Sequence, residues 1–252
     1  MTLKAVIFDI GGVVVGSPLF AINRYEKDHG LPFEYLNVAI TAQGHGGAFQ
    51  QFERSELDLY TFYRRFGEEL SNVEKNNEAY IKFCKSRGQE VPELPSKLQV
   101  DGRELFGRMM KESTKVDPKM RNAIMRLKAS GKFKIAALTN NFAPPTEIPN
   151  TLQDGASKAP SLEEELERLG FGASQSDLKS LFDFYIESAV VGKRKPDPEF
   201  YKYALDLLKV QATEVVFLDD IGPNLKSAQK LGITTIRKYP SRLQVLRASS
   251  SA

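Results

Sequence analysis

Three short apolar runs, each ending in a polar cluster, constrain this chain more than any other feature. They are Ala5-Val6-Ile7-Phe8 ahead of Asp9, Ile135-Ala136-Ala137-Leu138 ahead of Thr139-Asn140-Asn141, and Val215-Val216-Phe217-Leu218 ahead of Asp219-Asp220. Unbroken apolar runs of this length suit strands buried on both faces, as in a parallel sheet. Helical patterns cover residues 117–130, 198–208 and 224–231, and a further short run, Ile233-Thr234-Thr235-Ile236, follows the last of them. The alternation predicts an α/β fold with a doubly wound parallel sheet. Ligands of such sheets bind at the carboxyl ends of the strands, which is where all three polar clusters fall.

Residues 17–100 read differently. They carry helical patterns rich in Phe, Tyr, Glu and Arg with no buried-strand run among them, which predicts a separate helical cap inserted after the first strand. Its tip is the Gly-rich turn Gly44-His45-Gly46-Gly47, followed by Phe49, Phe52 and Glu53. Phe49, Phe52 and Tyr60 suit either an apolar substrate pocket or, given their helical spacing, the interior of the cap. The core is then expected in residues 1–16 and 101–252. Within it, residues 143–180 open on Pro144-Pro145 and hold one helix-like piece, and they read as a mobile surface excursion.

Composition excludes more than it selects. The 35 basic and 32 acidic residues are well mixed, and a net charge of +3 argues against a nucleic-acid partner. No apolar run approaches the roughly 18 residues a membrane span needs. The first eight residues reach Asp9 and two glycines too soon for a signal peptide, and the last four match no retention or peroxisomal address. The single cysteine, Cys84, sits in an amphipathic stretch and reads as packing, which fits a reducing compartment. A cytoplasmic location is expected.

The chemistry lies at the strand ends. A carboxylate at the position of Asp9 costs desolvation energy unless a cation or hydrogen bonds compensate it, although alone it reads as well as a loop-capping residue. Asp219 and Asp220 would complete an all-oxygen cluster of the kind a hard cation such as Mg2+ prefers. The plainer reading of this segment is that Asp220 or Asn224 caps the helix that follows. Thr139 and Asn140 offer a hydroxyl and an amide to an anion, but are also ordinary loop residues. Lys195 stands before Pro196-Asp197-Pro198. A lone lysine is usually solvated, yet a fixed ammonium near several carboxylates would offset their repulsion and attract a phosphate.

Taken together, the segments Val6-Ile7-Phe8-Asp9, Leu138-Thr139-Asn140, Gly192-Lys193-Arg194-Lys195-Pro196-Asp197-Pro198 and Phe217-Leu218-Asp219-Asp220-Ile221-Gly222-Pro223-Asn224 resemble, in order and type, the four motifs of the haloacid dehalogenase superfamily. Residues 182–236 look especially like the N-terminal phosphatase domain of soluble epoxide hydrolases. The resemblance implies a Rossmann-like core, a helical cap and a Mg2+-dependent hydrolase acting on a small phosphorylated metabolite. It implies Asp9 as nucleophile and metal ligand, Thr139 and Asn140 as the phosphate cradle, and Lys195 as the group that orients and neutralises both. It further implies Asp220, Asp219 and the Gly11 backbone carbonyl at the metal, with Asn224 supporting the loop.

One departure bears on activity. Phosphatases of this superfamily usually carry a second aspartate two residues after the nucleophile, acting as general acid and then base, and here that position is Gly11. Such catalysis contributes roughly 10²–10⁴-fold. Three consequences are open: a substitute from the cap, with Glu53 and His45 as candidates; a substrate with a good leaving group; or a phosphate-binding or regulatory protein that turns over slowly or not at all. Carbon–halogen hydrolysis is disfavoured, because it needs no metal and the paired acids argue for one. Epoxide hydrolysis is not expected either, since it belongs to a separate domain.

Overall fold

Ala5–Phe8 (β1) is buried along its whole length because it is the middle strand of the sheet. The computed structural model describes residues 2–147, 161–171 and 177–239. Among these, β1 is joined by β2 (Lys134–Thr139), β3 (Phe184–Glu187), β4 (Val215–Asp219) and β5 (Thr234–Arg237). All five are parallel, in the order β3-β2-β1-β4-β5. The register sets Phe8 beside Ala137 on one side and Leu218 on the other, so β1, β2 and β4 end together. The doubly wound α/β core expected from the three apolar runs is therefore present.

Alternate side chains of the central strands enter two separate cores. Ala5, Ile7, Ala136, Leu138 and Phe217 pack with Phe200, Tyr201 and Ala204 of one helix (Pro198–Leu208) and Leu225 and Ala228 of another (Gly222–Lys230). Val6, Phe8, Ile135 and Ala137 face Ile124 of the helix Pro118–Ala129 together with Leu178, Leu181 and Phe182. Each such large side chain removed from water stabilises the fold by roughly 1.5–3 kcal/mol. The helices start where local chemistry dictates. Asp117 and Asp197 each accept a backbone N–H of the first turn, and each precedes a proline at the first helical position.

One strand departs from expectation. β3 is a sheet edge, only Ile186 of it is fully buried, and no long apolar run marks it. β5 is the opposite edge and largely exposed.

Between β1 and the helix at Pro118 the chain forms α1 (Pro18–Asp28), α2 (Tyr35–Ala42), α3 (Ala48–Phe52), α4 (Leu59–Ser71), α5 (Val73–Ser86) and α6 (Gly102–Ser113). These share one apolar cluster around Phe62, Phe66 and Phe106, and Cys84 is buried within it. Leu105, Phe106 and Met109 of α6 belong to this cluster, so the helical unit continues past residue 100. In chain order the helix at Pro118 is then α7, Leu162–Arg168 is α8, Ser188–Val191 is α9, Pro198–Leu208 is α10 and Gly222–Lys230 is α11. α8 is the helical piece of the expected excursion, of which residues 148–160 and 172–176 lie outside the described residues. It docks on the helical insertion: fully buried Glu165 accepts from Tyr63 Oη at 2.7 Å and pairs with Arg103, and Arg168 donates to the Arg103 carbonyl.

Candidate active site

Asp9 follows β1 directly, and its backbone N–H continues the ladder to the Leu218 carbonyl. Its side chain is buried, and burial holds the carboxyl well above the usual carboxylate range against the pull of Lys195. Lys195 Nζ lies 2.7 Å from Asp9 Oδ1 and 2.9 Å from Asp219 Oδ2, with 1% of the residue exposed. An ammonium so enclosed would give up its proton if it stood alone. Asp219 and Asp9 outweigh the burial and lift it above an ordinary lysine.

Asp219 and Asp220 are adjacent yet differ in their surroundings. Asp219 is fully buried and saturated, with Lys195 on Oδ2, the Asn224 amide on both oxygens at 3.2 and 3.1 Å, and the Ile221 N–H on Oδ1 at 2.7 Å. Neither Asp220 nor Asn224 caps the last helix. The residue at that position is Ile221, whose side chain has no acceptor to cap the helix and whose own N–H is bonded to Asp219 Oδ1. Asp220 Oδ1 is buried without a hydrogen-bond partner among the described residues, and burial with the Asp219 charge raises its carboxyl to about 6.

Asp9, Asp219 and Asp220 can each bring one oxygen within 4.8 Å of the others. Three carboxylates face one close ammonium, and an unpartnered buried oxygen is costly. The donor set is all oxygen and short of positive charge, so these residues fit a hard divalent cation. Gly12 makes room for Asp220: its φ is +75°, and a Cβ there would sit 2.1 Å from Asp220 Oδ2. Gly11 has no such constraint, since its Cβ would meet only Pro18 at an ordinary 3.6 Å.

Thr139 is buried at the end of β2, where its hydroxyl makes only a long 3.3 Å contact with the Asn140 carbonyl. The Asn140 side chain is engaged differently from the expected phosphate contact. It accepts the Lys195 N–H at 2.8 Å and donates to the Lys195 carbonyl at 3.0 Å, pinning the lysine's backbone.

The residues that follow β1 and end β2, Ile10, Gly11, Thr139 and Asn140, form the floor of a cavity of about 180 Å³, with Asp9 just ahead of Ile10 in the chain. Its roof is apolar, with Phe49 and Phe52 from α3, Phe106 and Met110 from α6, and Phe142 and Phe171 from beyond β2. Glu53 also lines it, whereas exposed His45 and Tyr60 do not. Phe106, Met110, Phe142 and Phe171 were not singled out from sequence. No local signal marks them, because their shared position arises only when segments far apart in sequence are packed together.

Comparison with known proteins agrees with this arrangement. A family model described as haloacid dehalogenase-like hydrolase matches residues 3–232. The chain is 31% identical over 237 residues to bifunctional epoxide hydrolase 2 of Sus scrofa, covering 94% of this chain and 36% of that protein. The chain thus spans about a third of the length of that relative. It is 26% identical to a sesquiterpene phosphatase of Aspergillus oryzae, covering 92% of this chain and 88% of the relative. In fold it is similar to a crystal structure of a haloacid dehalogenase family enzyme from Bacteroides thetaiotaomicron, with a TM-score of 0.55, 16% identity and coverage of 98% and 99% of the two chains.

Proposed function

The chain belongs to the haloacid dehalogenase-like hydrolases, and from that premise we propose that it is a Mg2+-dependent phosphatase of small organic phosphate esters with Asp9 as nucleophile. The observation that carries this reading is Asp9 fixed by Lys195 beside a buried, unpartnered Asp220 oxygen, directly ahead of Ile10 and Gly11, which line a cavity large enough for a small organic group.

A phosphate monoester is a dianion, and a carboxylate approaches it only where positive charge offsets the repulsion. Lys195 supplies one such charge, and Mg2+ held by Asp9, Asp220, Asp219 and the Gly11 carbonyl would supply the other. Because Asp219 is saturated by Lys195 and Asn224, Asp9 and Asp220 are the direct ligands in this reading and Asp219 acts at one remove. Thr139 Oγ1 and the Asn140 backbone would hold the phosphoryl oxygens. The Asn140 amide keeps Lys195 in place. Asp9 displaces the alcohol in line, and water hydrolyses the resulting aspartyl-phosphate.

The helical insertion is the cap in this proposal, excluding bulk water and selecting the alcohol. Its aromatic lining suits an alcohol with an apolar body, and one relative is named a sesquiterpene phosphatase. No described helix is long and apolar enough to cross a membrane, and a cytoplasmic location with a small phosphorylated metabolite as partner belongs to the same proposal. The test is a panel of phosphate esters with Mg2+, read as phosphate release. Release no greater than that of Asp9→Asn would sink it. A phosphate-binding protein that does not turn over is the second reading, favoured by Gly11. Repeated turnover that disappears in Asp9→Asn eliminates it.

A further inference from the structure

A Cβ at Gly11 would meet only Pro18, at ordinary contact distance. The reaction still needs a proton delivered to the leaving oxygen and later taken from water. Across the cavity from Gly11, Glu53 sits just after α3 and is buried. Its position is fixed from two directions. Its carbonyl accepts from Ser188 Oγ at 2.6 Å, and that hydroxyl also bonds the backbone N–H and carbonyl of Asn141, the residue next to Asn140. Arg194, next to Lys195, donates Nε to Glu53 Oε2 at 2.6 Å. Oε1 takes no hydrogen bond from the described residues and remains available to the cavity.

We infer that Glu53 is the general acid and base of this site, supplied from the helical insertion in place of a side chain at position 11. The inference rests on the phosphatase reading above. As the Asp9 oxygen–phosphorus bond forms and the phosphorus–ester oxygen bond breaks, the Glu53 carboxyl passes its proton to the departing alkoxide. In the second step the Glu53 carboxylate takes a proton from water as the water oxygen bonds phosphorus and the Asp9–phosphorus bond breaks. Phosphate leaves and the protonated acid is restored. Burial favours the protonated form of this carboxyl, opposed by Arg194, Lys195 and Arg54.

The experiment compares benzyl phosphate, a poor leaving group, with 4-nitrophenyl phosphate, a good one, under Mg2+. Wild type, Glu53→Gln, Gly11→Asp and the double variant are each checked for folding by circular dichroism. Glu53→Gln is expected to lose about 10²-fold or more in kcat on benzyl phosphate. On 4-nitrophenyl phosphate it should release one equivalent of nitrophenolate in a burst and then slow, because water attack lacks its base. Adding Gly11→Asp should restore turnover to Glu53→Gln. A folded Glu53→Gln that loses equally on both esters, shows no burst and gains nothing from Gly11→Asp would overturn the inference and leave Glu53 a partner of Arg194 only. So would a Glu53→Gln variant as active as wild type on benzyl phosphate. Wild type no more active than Asp9→Asn on either ester overturns the phosphatase reading as well.

Discussion

The strand ends and the first helix of the insertion hold their buried carboxylates in opposite ways. At the strand ends Asp9 and Asp219 are each bonded to an ammonium that is itself buried, and Asp220 Oδ1 is buried without a hydrogen-bond partner among the described residues. In the helical insertion the buried carboxylate of Glu26 has no cationic partner among its hydrogen bonds. It accepts the backbone N–H groups of Glu34 at 2.9 Å and Leu36 at 2.8 Å, and burial raises it to about 7. The difference separates a charge kept for chemistry from one that ties a loop. At the strand ends an ammonium opposes the burial of Asp9, whereas the insertion tolerates an acid that is neutral over much of the accessible pH range.

That contrast can be broken or sharpened by measurement. The largest effect is expected at the strand ends: Asp9→Asn should lower phosphate release at least about 10³-fold, with Mg2+ present and the fold intact by circular dichroism. Lys195→Met should cost about 3–5 kcal/mol in urea unfolding, because it leaves two buried carboxylates facing each other without their cation. An unchanged midpoint would show that the strand ends do not depend on their ammonium.

Glu26 gives the reverse signature. Its folded value lies above the unfolded 4.5, so the folded state binds the proton more tightly. Stability from this group is complete below about pH 4.5 and is lost as pH rises through about 7, by about 3 kcal/mol in all. Glu26→Gln should flatten that part of the stability–pH curve, and a slope that persists would reassign it to the strand ends. Mg2+ at a hundredfold excess over its Kd should stabilise the protein by about 2.7 kcal/mol, a gain absent in Asp220→Asn. The smallest effect is expected in the roof. Phe142→Ala should lower kcat/KM for esters of apolar alcohols about tenfold and leave acetyl phosphate unaffected.

The strand ends were legible in sequence for the same reason that they are chemically special. An acid closing a run such as Val215–Leu218 violates the rule that charges stay wet, and such violations are conspicuous. What adjacency conceals was not legible. Nothing in Asp219-Asp220 indicates that one is saturated and the other is left open, since that follows from Lys195 and Asn224 arriving from elsewhere. The bond between Asn140 and the Lys195 backbone joins residues 55 apart and could not be read from either segment. In the roof, Phe49, Phe106 and Phe171 carry no such mark. An aromatic residue that lines a cavity and one that fills a core look alike until the helices are packed.

The anchoring of α8 has a consequence for engineering. This helix leaves the chain after β2, yet Glu165 is held by Tyr63 of α4 and by Arg103 of α6. The helical insertion is therefore not a cassette bounded by one pair of splice points. A chimera that exchanged only the segment after β1 would strand a fully buried carboxylate without its phenol and guanidinium. Transplanting substrate preference from a relative requires moving both segments, or replacing Glu165 with an apolar residue of similar volume in the same step.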